Sequence, residues 1–117
     1  TTNATGSFGF LPACAPADDN FQAYYEAVAS APVLEIDMLG ADHFSFIDDP
    51  NCGFECSACP NGTANPAVVL TKTRAYLTAF MKAFGDGDLS AMDVLTGARM
   101  NVDVSAGIAQ IRTKNGF

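Results

Sequence analysis

From Pro66 to Phe84 the chain places Val69, Leu70, Tyr76, Leu77, Phe80 and Phe84 at helical spacing, with Asn65 and Pro66 as N-cap and first helical residue and Gly85 as terminator. Such a helix carries an apolar stripe that must lie against another element. The rest of the chain offers little for it to cover. Only one stretch reads firmly as a strand, with Leu34, Ile36 and Met38 alternating with Glu35 and Asp37 between Pro32 and the Leu39-Gly40 break. Its polar face predicts an edge strand.

The remaining segments are shorter. Asp19 followed by Gln22 has capping-box spacing, and Phe21, Tyr24, Tyr25 and Val28 then give a short helix an apolar face. Asp88 predicts a cap for a second short helix bearing Leu89, Met92 and Leu95 and ending at Gly97. Beyond it Met100, Val102 and Val104 alternate, Gly107 offers a turn, and Ile108 and Ile111 follow, which predicts a small hairpin over 98–117. A chain of 117 residues has room for one core, so residues 1–117 are read as one α/β unit.

Composition narrows the functional classes. Thirteen acidic against six basic side chains give a net charge of −7, which repels phosphate backbones and anionic membrane surfaces, so nucleic acid is a poor partner. No run approaches the length of a membrane span. Four cysteines, Cys14, Cys52, Cys56 and Cys59, and two sequons, at Asn3 and Asn61, favour an oxidising, secreted or lumenal setting with glycans on both asparagines.

The triplet Cys52, Cys56 and Cys59 has the spacing of a cluster-binding motif, but radical chemistry of that kind needs a far longer chain and a reducing compartment. Zinc held by all four cysteines is a stronger rival, set back by the single remote ligand at Cys14. Two disulfides are preferred, with Cys14 joined to one loop cysteine and the other two joined to each other. No metal and no cofactor is expected.

One histidine is present, His43, on the loop Leu39-Gly40-Ala41-Asp42-His43-Phe44-Ser45-Phe46 that follows the strand. A lone histidine is more often structural or merely exposed than catalytic. Its surroundings argue further. The stretch PVLEIDMLGADHFSFIDDP resembles the segment of chlorophyllase-like α/β-hydrolases, related to polyester and platelet-activating-factor hydrolases, in which the last sheet strand leads into the catalytic-histidine loop. Upstream, Gly6-Ser7-Phe8-Gly9, Cys14-Ala15-Pro16, Asn20 and the pair Tyr24 and Tyr25 are similar to the same family. Downstream, the cysteine loop and the helix bearing Arg74, Phe80 and Phe84 extend the likeness to about residue 97.

The resemblance implies the C-terminal part of an α/β-hydrolase, with edge strand, histidine loop and C-terminal helix but an incomplete sheet. His43 falls on the family's general base. On the polyester-hydrolase pattern Asp18 or Asp19 becomes a candidate for the orienting acid, although the capping spacing already explains these carboxylates and is the stronger reading. Asp42 is expected to point away from the ring, and Asp48 and Asp49 to be solvated. Phe44, Phe46, Phe54, Tyr24 and Tyr25 could line an apolar acyl pocket, or simply belong to the core.

The nucleophile is missing. A hydrolase serine sits in a Gly-x-Ser-x-Gly elbow upstream of the acid and the histidine, and none of Ser7, Ser30, Ser45, Ser57, Ser90 and Ser105 has that frame. The expectation is therefore a chain that contributes His43 to a serine esterase whose nucleophile lies elsewhere, catalytic only when paired with the serine-bearing half. It predicts contact with a second polypeptide or another copy over Val69, Leu77, Phe80 and Phe84, and a small apolar ester as substrate. The competing expectation is a non-catalytic, disulfide-stapled, secreted binding or structural module derived from a hydrolase fold.

Overall fold

The computed structural model describes residues 20–48 and 61–117. They form a small mixed α/β domain. Its elements in chain order are α1 (Phe21–Ala27), β1 (Val33–Met38), α2 (Pro66–Phe84), a 3-10 turn (Leu89–Ala91) running into α3 (Met92–Leu95), α4 (Ala98–Ser105) and β2 (Ala109–Lys114). The strand expected over 31–38 and the helix expected over 66–84 are both present.

β1 and β2 pair antiparallel, with Val33 opposite Lys114, Ile36 opposite Ile111 and Met38 opposite Ala109. Glu35 and Arg112 face each other across the ladder, and the guanidinium donates through Nε and Nη2 to the two carboxylate oxygens at 2.8 and 2.7 Å. Bidentate geometry makes this cross-strand pair specific to one register. Among the described residues the sheet has two strands.

The hairpin expected over 98–117 is not formed. Residues Ala98–Ser105 are helix α4, and β2 closes onto β1, more than seventy residues away in sequence. The apolar alternation at Met100, Val102 and Val104 misled because the inward face of α4 holds Met100 and a carboxylate, Asp103, three residues apart, whereas Val102 is 66% exposed. A spacing of three is helical.

α1 has Asn20 at its N-cap, whose side chain makes no cap bond; the capping box expected at Asp19 lies outside the described residues. Its C-terminal end is held instead. The Lys114 ammonium donates to the carbonyls of Tyr25 and Glu26 at 3.0 Å, Tyr25 donates its hydroxyl to the Thr113 carbonyl at 2.8 Å, and the Arg112 guanidinium lies 4.2 Å over the Tyr25 ring. A cation on the last helical carbonyls complements the helix dipole.

α2 opens as the sequence predicts, with the Asn65 side chain accepting from the Ala67 amide at 2.9 Å and Pro66 in the first turn. Its buried stripe is Val69, Tyr76, Ala79 and Ala83, packed with Leu95, Met100, Met38 and Ala109. Alanines on this face let α3 and the 3-10 turn approach closely. The larger residues of the expected stripe divide: Val69 is in the core, whereas Leu77, Phe80 and Phe84 are 63, 43 and 54% exposed. Phe84 is flanked by Phe80 and Phe117 at ring separations of 4.8 and 5.5 Å. Among the described residues no helix is long and apolar enough to cross a membrane.

Candidate functional site

The loop after β1 turns at Gly40, where φ of +70° favours glycine, and passes the fully buried Ala41 before reaching Asp42 and His43. Gly40 is pinned from outside. Its carbonyl accepts from the Thr63 and Ala64 amides at 2.8 and 3.0 Å, which brings the segment before α2 against the loop.

Asp42 is the organising residue. Its Oδ1 accepts from the Phe44 amide at 2.9 Å and the Ser45 hydroxyl at 2.7 Å, and its Oδ2 accepts from the Gly62 amide at 2.8 Å. Ser45, itself buried, also accepts from the Asp42 amide at 3.1 Å. Partial burial alone would raise the carboxyl above its ordinary range, but the donors from Gly62, Ser45 and Phe44 outweigh it, and Asp42 ionises below the usual carboxylate value. Its oxygens are engaged by Phe44, Ser45 and Gly62, and the imidazole is not among these donors. The number of donors it collects is what the sequence did not announce.

His43 lies at the exposed start of this turn, five residues past the end of β1. Its ring meets Phe44 edge-on at 5.2 Å. It also lines a groove of about 550 Å³ between β1 and α2, whose apolar walls include Leu34, Ile36, Phe46, Leu77 and Phe80. Thr73 borders the same groove and its hydroxyl oxygen is buried without a hydrogen-bond partner. An imidazole at the rim of an apolar groove can take and return a proton while water is partly excluded beside it.

The other expected site residues separate. Asp18, Asp19, the four cysteines Cys14, Cys52, Cys56 and Cys59, Asn3, Asp49 and Phe54 lie outside the described residues. Asn61 is exposed. Asp48 is not simply solvated, because Arg74 of α2 pairs with it at 2.5 Å, although both side chains remain largely exposed and such a pair contributes little. Of the aromatic residues weighed for a pocket, Phe46 lines the groove and Phe44 contacts the ring, whereas Tyr24 is exposed and Tyr25 is stacked beneath Arg112. Among the described residues none of the ion pairs involves His43, and no cluster of three potential metal ligands occurs.

A second polar cluster adjoins the groove through Tyr76, which lines it. Asp103 of α4, buried, accepts from the Lys72 ammonium at 2.6 Å and the Tyr76 hydroxyl at 2.8 Å, both on α2. The three groups satisfy one another, and their work is to tie α4 to α2. Comparison with known proteins gives no further guide: no family model matches the chain, and no curated protein or solved structure is similar to it.

Proposed function

We propose that the chain contributes the general-base histidine, His43, of a chlorophyllase-like carboxylic ester hydrolase whose serine nucleophile lies outside the 117 residues. The observation that carries this reading is the position of His43. It is an exposed imidazole on a braced turn just beyond the carboxyl end of a strand, at the rim of an apolar groove.

In this mechanism His43 takes the serine proton as the oxygen attacks the ester carbonyl, then returns it to the departing alcohol. Asp18 or Asp19 orients the ring, and backbone amides of the serine-bearing half stabilise the oxyanion. The groove receives the apolar part of the ester. The serine-bearing half joins along the exposed side of α2. A secreted or lumenal setting, with paired cysteines and glycans on Asn3 and Asn61, belongs to the same proposal.

One observation favours the second reading, a non-catalytic binding or structural module. Leu77, Phe80, Met81 and Phe84 form an exposed apolar run on α2 that a partner could cover without any chemistry at His43. Mass spectrometry of the native material separates the two. The esterase reading expects a polypeptide bearing Gly-x-Ser-x-Gly in register with this chain, either continuous with it or bound to it. A partner without that elbow supports the module.

A further inference from the structure

We propose that Asp42 is a positioning residue, fixing the His43 imidazole by clasping its loop to residues 61–64. The inference rests on the reading of His43 as the working side chain and names what holds it in place.

The clasp has two halves. On one side Asp42 closes the turn that contains His43, binding the Phe44 amide and the Ser45 hydroxyl, so the residues before and after the imidazole are joined to each other. On the other side the same carboxylate reaches twenty residues along the chain to the Gly62 amide, while the Gly40 carbonyl takes the amides of Thr63 and Ala64. Three bonds thus fasten 40–45 to 61–64, one to the Asp42 carboxylate and two to the Gly40 carbonyl, while the bonds from Phe44 and Ser45 close the turn itself. Steric fit agrees with the bonding. A Cβ on Gly62 would stand 2.6 Å from the Gly40 carbonyl oxygen and 2.9 Å from the Asp42 nitrogen, so the two strands of the seam already touch.

The arrangement is more than a loop tie because of what it leaves free. The imidazole makes no bond within the clasp and borders the groove, so its place is set by the turn that carries it, with Phe44 edge-on beside the ring. A base whose ring must meet a nucleophile from another part of the protein needs such fixing, because small displacements cost large factors in rate. Asp42 achieves it without acting on the ring.

The single histidine makes the test direct, because the carbon-bound imidazole protons of the 117-residue chain give one set of resonances to follow. In the unaltered chain we expect a single narrow set and slow exchange of the Gly62 amide. Asp42→Asn keeps the shape but replaces one accepting oxygen with a donor; it is expected to move and broaden the imidazole signals and to speed Gly62 exchange at least about tenfold. Ser45→Ala should move them less. Asp103→Asn serves as the control: it loosens α4 and lowers the melting temperature, yet leaves the imidazole signals where they were. Unchanged imidazole signals in Asp42→Asn would overturn the proposal. So would unprotected Gly62 exchange in the unaltered chain, a measurement that stands even if the variants do not fold. None of these readouts needs ester turnover, so a firm clasp in a protein whose turnover survives loss of His43 would sink the catalytic reading and leave the positioning of the ring intact.

Discussion

The Tyr76 hydroxyl donates to Asp103 at 2.8 Å across twenty-seven residues of sequence, and Lys72, one helical turn before Tyr76, donates to the other oxygen of the same carboxylate. Two positions of α2 therefore hold the one carboxylate of α4 that faces the core. Burial first, and then the bond to Asp103 and its charge, push the Tyr76 phenol well above its ordinary range. A phenol raised in the folded state stabilises fully below the unfolded value of about 10 and loses that contribution as pH rises toward the folded one. Urea denaturation across alkaline pH should show this loss, and Tyr76→Phe should remove it. At neutral pH Asp103→Ala, which strands the phenol and frees the ammonium, should cost about 2–4 kcal/mol.

Gly62→Ala should destabilise by about 1–3 kcal/mol, because the added methyl meets backbone, the Gly40 carbonyl and the Asp42 nitrogen, and not a side chain that can swing aside. Thermal unfolding followed by circular dichroism checks it. Alanine at Gly107, where nothing lies within 4 Å of a Cβ but φ is +68°, should cost less, through backbone strain alone.

How much of this was legible depends on where each residue finds its partner. Asn65, Pro66 and the stripe of α2, and the alternation of β1, are local signals, and both elements form where those signals lie. α4 was misread because one of its two inward residues is polar: Asp103 is paired with Lys72 and Tyr76, thirty-one and twenty-seven residues away, and no local pattern announces that. Apolar Val102, the residue that suggested a strand, faces water. β2 was legible as an extended piece but not as the partner of β1, since Glu35 and Arg112 meet only after α2, α3 and α4 have turned the chain back. At the site, the family resemblance and the lone imidazole singled out His43. The bracing by Asp42 was invisible because its third donor, Gly62, lies across the cysteine-bearing loop.

Leu95 and Leu77 should behave oppositely. Leu95 is 1% exposed within the core, so Leu95→Ala should cost about 2–5 kcal/mol by loss of burial and the cavity left behind. Leu77 lies on the open side of α2, and Leu77→Asp should change the stability of the isolated chain by about 0.5 kcal/mol or less. It should nonetheless weaken association with the serine-bearing half by at least about tenfold, as a charge placed in an apolar contact must. Urea denaturation gives the first comparison and sedimentation or calorimetric titration the second.

The central claim, that His43 is a base awaiting a nucleophile held elsewhere, is tested most directly by ester turnover measured three ways: with the 117-residue chain alone, with the chain joined to a serine-bearing hydrolase half, and with that same assembly carrying His43→Ala. The account predicts turnover of an activated ester no faster than free imidazole for the chain alone, turnover in the assembly, and loss of at least about a thousandfold of it on replacing His43, with the assembly still folded. A stable monomer of the 117-residue chain that hydrolyses the ester unaided, or an assembly whose rate is indifferent to His43→Ala, would contradict it.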